Sequence, residues 1–310
     1  MQFDFGLDFG LLNNRITGTI DYYNKNTTNI LFQSTAIQPA PNASYWINLP
    51  GHLLNSGVEI SLFGNIVDHK DFSWDLGFNM ATNRNMLKDF YAPGTKTPLA
   101  IKTGTIDGQG VSGTLGQIIT NNQTVDEFYL KPFGGFDQSG NQIIAVDPTY
   151  AGNPNPKLLF GGSTTLRYKK LSLVLNGGGS GGFVIYNNTG TSVTNIAGIA
   201  LGGRNIDKLA YNSDEKPSSG VGASSRFLEN GNFFKLRNAT ISYNLGNIGT
   251  YIKNFNVYVT GSNLFVITKF SGFDPEVNID KQNAGYPSRS IEYVPYPTPR
   301  SVVVGLNFAL

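Results

Sequence analysis

Apolar and polar residues alternate with period two along much of this chain. In residues 300–310, Val302, Val304, Leu306, Phe308 and Leu310 fall on one side, with Ser301, Val303, Gly305, Asn307 and Ala309 on the other. The same period predicts strands over residues 2–11, 15–30, 54–67, 72–81, 158–168, 171–186, 233–245 and 255–267, nine with the last. Residues 72–81 carry it most cleanly, with Phe72, Trp74, Leu76, Phe78 and Met80 opposite Ser73, Asp75, Gly77, Asn79 and Ala81. Parity breaks at residues 235–237, where a bulge is expected. A short helix is expected within residues 196–209.

The predicted connections alternate in length. Short ones cover residues 13–14, 68–71, 169–170 and 246–254, and long ones cover 31–53, 85–157, 187–232 and 268–299. Asn13-Asn14 suits a tight turn because Asn tolerates positive φ. Long structureless loops are uncommon in compact soluble domains. Membrane-spanning barrels, by contrast, have short turns at one rim and long loops at the other. The expected fold is therefore all-β: an antiparallel transmembrane β-barrel segment with long extracellular loops and short periplasmic turns, its apolar faces toward lipid. Trp74 and Tyr168 would then lie in an interfacial aromatic girdle.

Composition agrees with that reading. Charged residues make up 14% of the 310, against about 25% in a typical soluble domain. A formal net charge of +2 with scattered Lys and Arg gives no footprint for nucleic acid. The absence of Cys excludes disulfides and thiolate metal sites. No apolar run approaches the roughly 18 residues of a membrane helix, so any crossing is by strands. Nine antiparallel strands cannot close a barrel, and open edges in lipid would leave backbone groups unsatisfied. The expectation is a chain that begins within a sheet, without a signal peptide, and forms part of something larger.

Several blocks resemble one family. They are Asn232-Phe-Phe-Lys-Leu-Arg237 within residues 227–243, Val257-Tyr-Val-Thr-Gly-Ser-Asn-Leu-Phe265, Gly272-Phe-Asp-Pro-Glu276 and Tyr296-Pro-Thr-Pro-Arg300. Earlier come Gly6-Leu-Asp-Phe-Gly10 and the Leu12-Asn-Asn-Arg-Ile-Thr-Gly-Thr-Ile-Asp-Tyr-Tyr23 run. Together they are similar to the C-terminal barrel portion of SusC/RagA-type TonB-linked outer-membrane transporters of Bacteroidetes. The resemblance implies an outer-membrane importer of large nutrients, glycans or peptides, without catalysis or cofactor. It implies a SusD-like surface lipoprotein as partner and TonB acting through an N-terminal part. Signal peptide, TonB-contacting segment and plug lie N-terminal to this region in such proteins and are not found in residues 1–310.

Candidate ligand contacts are the loop aromatics Tyr45, Trp46, Phe133, Tyr150 and Tyr286, because a flat ring matches an apolar sugar face. Trp46 is the residue expected to take part in ligand capture. Asp4, Asp8, Asp21, Glu59, Asp75 and Arg167 carry polar parity and would line a hydrophilic pathway. The glycines at 108, 110 and 113 and at 177, 179 and 182 match a dinucleotide pattern, yet strand-like residues 183–186 follow the second set where a helix is needed. Ser180 in Gly178-Gly-Ser-Gly-Gly182 fits a nucleophile elbow, but His52 and His69 precede it, against the order that elbow requires. Close packing of small residues explains it better. Asp137-Gln-Ser-Gly-Asn141 lacks the ligands of a calcium loop and reads as a solvated loop. The alternative function is a secreted soluble all-β carbohydrate-binding or adhesin module, in which the apolar faces would be dry cores.

Overall fold

The computed structural model describes residues 1–35, 39–48, 50–92, 95–108, 110–194, 196, 205–211, 213–216, 222–283 and 285–310. Nine strands form one antiparallel wall in chain order: β1 (Gln2–Leu11), β2 (Ile16–Thr28), β3 (His52–His69), β4 (Phe72–Thr82), β5 (Leu158–Tyr168), β6 (Leu171–Gly181), β7 (Phe233–Ile248), β8 (Ile252–Thr268) and β9 (Ser301–Ala309). A tenth, short strand, Arg84–Lys88, continues β4 beyond a break and pairs with the start of β3. β1 and β9 are the edges and are not paired with each other. Leu12, Asn13 and Asn14 all adopt positive φ in the first turn, and Lys169 does so in the third.

Register, more than any single strand, makes the apolar face continuous. One row runs Trp74, Leu166, Leu173, Ile241, Val259, Val304, and the next runs Phe72, Tyr168, Leu171, Tyr243, Val257, Leu306. The first half of the wall contributes Leu7, Ile20, Ile60 and Met80 in one row. This face has no covering layer: Leu7, Ile241 and Val304 are 57%, 55% and 70% exposed. A soluble module would need that face buried. The expected bulge in β7 is present, with register shifting between Leu236 and Asn238.

On the other face, Asp75 accepts from Arg167 at 2.8 Å and from Asn65 Nδ2 at 2.8 Å. Asp21 pairs in register with Glu59 and Asp4 with Tyr23. The acidic and basic residues assigned to the polar parity thus share one side of the wall. Across the sheet, the Trp74 indole donates to Thr164 Oγ1 at 2.9 Å, which satisfies a polar group on the apolar face.

Two expectations need correction. The sixth strand stops at Gly181, because Gly182 has a φ of +76° and the chain turns away. Val184–Asn187 instead pairs antiparallel with Leu228–Asn230 and parallel with Ile291–Glu292. The long connections, moreover, are not structureless. Ala100–Ile106, Thr114–Thr120, Glu127–Leu130 and Thr149–Gly152 form a four-stranded sheet. Leu31–Thr35 pairs with Ser44–Asn48, and Phe133–Phe136 with Gln142–Ile144. Among the described residues, every buried apolar side chain except Phe233 lies off the nine wall strands. Ile106, Phe128, Tyr186, Phe227 and Ile291, drawn from three connections, pack into one core. The chain therefore folds a cap at the long-connection edge of the wall. Within residues 196–209, part of which lies outside the described residues, the last two begin a one-turn helix, Lys208–Tyr211, and another short helix spans Asn188–Val193.

The remaining patterns resolve into packing. Gly177, Gly178 and Gly179 lie in β6, where a Cβ at Gly179 would come within 1.9 Å of the Phe233 carbonyl oxygen. Ser180 is buried between Leu159 and Phe233 in the same ladder. Strand Thr114–Thr120, not a helix, follows Gly113. Asp137 closes a hairpin turn by accepting from the backbone of Ser139 and Asn141, both at 2.8 Å, which holds its pKa below the usual carboxylate value.

Candidate functional site

The cap is fixed to the wall where β7 bulges. Residues 233 and 235 face the polar side there, and Lys235 reaches Asp274 at 2.6 Å and Glu276 at 3.1 Å. Arg237 grips Glu276 through two nitrogens, at 2.8 and 3.1 Å. The hydrogen bonds from Arg237, then those from Lys235, hold Glu276 below its ordinary pKa despite partial burial. Thr298 donates to the other oxygen of Asp274 at 2.9 Å. Three blocks noted as motifs in the sequence, around residues 235, 274 and 298, are thus parts of one latch. Phe183, Ile185, Phe233 and Phe270 form the apolar cluster nearby.

Residues 280–283 and 285–292 then run as a strap across the four-stranded sheet. Buried Gln117 donates to the Arg289 carbonyl at 2.6 Å and accepts from its N–H at 3.3 Å. Thr103 Oγ1 donates to the carbonyls of Tyr286 and Pro287 at 3.1 and 2.8 Å. Lys281 pairs with Asp107 and lies over the Tyr293 ring at 4.3 Å. The Gln117 and Thr103 contacts close the backbone of an irregular segment that would otherwise bury unpaired groups.

Asp126 stands apart within this region. It is 1% exposed, has a φ of 62°, and neither carboxyl oxygen has a hydrogen-bond partner among the described residues. Burial pushes its pKa up to about 7; Arg289 pulls it down and Asp280 pushes it up. A folded pKa above the unfolded value means that the folded chain holds its proton longer. The associated stability is full below the unfolded pKa and is lost as pH rises through the folded value of about 7. Asp126→Asn, which tolerates the same φ, is expected to flatten this part of the stability profile and to leave the cap more stable at pH 8 than the parent. Urea melts followed by cap tryptic fragments at pH 5 and pH 8 would check it; an unchanged pH dependence would refute it.

The proposed ligand contacts are dispersed. Tyr45 and Trp46 lie on adjacent, oppositely facing positions of the Ser44–Asn48 strand, 50% and 66% exposed. Phe133 packs edge-on to Phe136 at 5.4 Å, and Arg226 lies over both rings while pairing with buried Glu215 at 2.8 Å. Tyr150 leans on Tyr129 at 5.3 Å. Tyr286 is half-buried in the strap. The cap contains clefts of about 590 and 700 Å³, and none of the five residues is in their walls. The smaller is lined by Phe136, Asn187, Arg226, Glu229 and Phe273; Lys102, Tyr129 and Lys131 are among the residues of the larger. Gly272 and Phe273 of one sequence block are in the smaller cleft and Gly110 and Gly113 in the larger, but the rest of each wall comes from separate connections that no motif joins. Among the described residues no group of three or more His, Asp or Glu could hold a metal ion.

No family model matches the chain. It is similar over 99% of its length to TonB-dependent receptor P3 of Formosa agariphila, at 26% identity, and over 97% to TonB-dependent receptor SusC of Bacteroides thetaiotaomicron, at 28%. These matches cover 33% and 31% of the two relatives, so the chain spans about a third of their length. The fold matches the structure of the RagAB peptide transporter with a TM-score of 0.79 at 24% identity, over all of this chain and 35% of that one. The same importer in its open-open state matches with a TM-score of 0.75. In sequence along nearly its whole length the chain is similar to part of TonB-dependent receptors of the SusC type, and in fold it is similar to part of the RagAB transporter.

Proposed function

We propose that residues 1–310 are the C-terminal part of the barrel of an outer-membrane, TonB-dependent importer of large nutrients, with oligosaccharides as the cargo. The observation that carries this reading is the uncovered apolar face, continuous through the register of nine strands, beside a cap that holds nearly all the buried apolar side chains. Lipid is the solvent that such a face fits. The unpaired edges at β1 and β9 favour a place within a larger wall, since lipid cannot satisfy their backbone groups. The cap would face outward, where a SusD-like surface lipoprotein would meet it, and TonB would act through a part outside these residues. Exposed Tyr45, Trp46 and Tyr150 suit sugar stacking, which favours a saccharide over the peptide named for the RagAB transporter.

Fractionation of native cells, with an antibody against residues 85–157, tests this reading. The expected result is an outer-membrane band much larger than the 33.6 kDa of this chain. A soluble band near that mass would overturn the membrane assignment.

A further inference from the structure

The larger cleft of the cap, about 700 Å³, carries a charge that nothing near it neutralises. Lys102 and Lys131 are in its wall, both exposed, and neither has an ion-pair partner among the described residues. Among the described residues that line the cleft none is acidic. Lys102 stands opposite Ile118 and Ile118 opposite Glu127, so Lys102, Glu127 and Tyr129 share one face of the four-stranded sheet, and Lys131 follows directly after the strand Glu127–Leu130. Phe128 and Leu130 belong to the core, and Leu130 also contributes to the cleft wall. Glu127 is buried, accepts from the Gly152 N–H and lies in the field of Lys157, so it does not serve the two lysines.

The rest of the wall says what kind of anion fits. Tyr129 borders the cleft and is paired with half-exposed Tyr150, which presents aromatic surface beside the cations. A peptide would most simply add as a strand, but the outer edge of Ala100–Ile106 is already taken. Thr105 N donates to the Lys281 carbonyl at 2.8 Å, and the Lys102 carbonyl accepts from Asn283 at 3.3 Å. At that edge the ammonium groups and ring faces are what is left to carry recognition. We propose that this cleft binds an acidic oligosaccharide, with its carboxylate or sulfate group between Lys102 and Lys131 and a sugar ring against the Tyr129–Tyr150 pair. This rests on the importer reading and names the chemistry of its cargo.

The test is calorimetric titration of the full-length protein that contains this chain, in detergent at low salt, where exposed charges are least screened. The probes are tetragalacturonate, a carrageenan tetrasaccharide, neutral maltotetraose and pentaglutamate. At least one acidic saccharide is expected to bind more tightly than maltotetraose and to weaken about tenfold or more in the Lys102→Gln, Lys131→Gln double variant. The Lys102→Arg, Lys131→Arg variant, which keeps both charges, should retain binding and show that the cleft is still folded. Which acidic probe responds identifies carboxylate or sulfate as the group held. Equal binding of acidic and neutral saccharides, or no effect of removing the lysines, would overturn the inference. Pentaglutamate bound more tightly than either acidic saccharide, with the same lysine dependence, would overturn the saccharide assignment. If the protein fractionates with the outer membrane yet fails this test, the importer reading stands and only the cleft assignment falls.

Discussion

Leu76→Arg, placed on the apolar face near the middle of β4, is expected to prevent stable insertion of the barrel. Leu76 pairs with Gly64 and Thr164 and is 40% exposed, so no protein layer would shelter a guanidinium there. In a lipid-facing wall an arginine near the midplane costs about 2–4 kcal/mol. Asn79→Arg, on the opposite parity of the same strand, is the control, because that face is polar and already carries the Asp75–Arg167 pair. Heat-modifiable migration of full-length protein refolded into lipid vesicles would separate the two. Equal loss in both variants would mean that the faces are not distinguished by lipid.

Lys235→Met is expected to release the segment after β8 from the wall. The Lys235 side chain is 11% exposed and lies against two carboxylates, so its removal leaves Asp274 and Glu276 facing each other without the shared cation. Breaking a buried pair costs about 3 kcal/mol at the low end, which applies because Glu276 stays 45% exposed. When opening is fast, that loss appears as roughly a hundredfold faster tryptic cleavage, here at Lys281 and Arg289. Lys235→Arg should recover part of the protection by keeping the charge. Unchanged cleavage in Lys235→Met would show that the Arg237–Glu276 pair and the apolar cluster around Phe270 hold the segment without Lys235.

The latch shows how far sequence reading reached. Its parts stood out as blocks around Lys235, Asp274 and Thr298, and the parity break at residues 235–237 announced the bulge. What could not be read was that one ammonium joins them, since Lys235 and Asp274 are 39 residues apart. The candidate site was less legible. Tyr45 and Trp46 read as loop aromatics in the sequence, but the structure puts them at adjacent positions of a strand, which send them to opposite faces. Lys102 and Lys131 carry no signal in the sequence, because a pair of lysines acquires meaning only from the fold that sets them in one cleft wall.

The sequence by itself determined the wall: nine strands, their order of short and long connections, and the side of each that is apolar. Period-two alternation is a local property of a strand with one face in each environment, so it survives without knowledge of any partner. The cap was decided by tertiary structure alone. Its strands are short, and some, such as Glu127–Leu130 with three buried residues in four, are too short and too covered for a period to stand out. Its closing contacts join residues as distant as Thr103 and Pro287, 184 positions apart. No window of sequence contains both ends of such a contact, so only the folded chain shows that three polar, glycine-rich connections share one core.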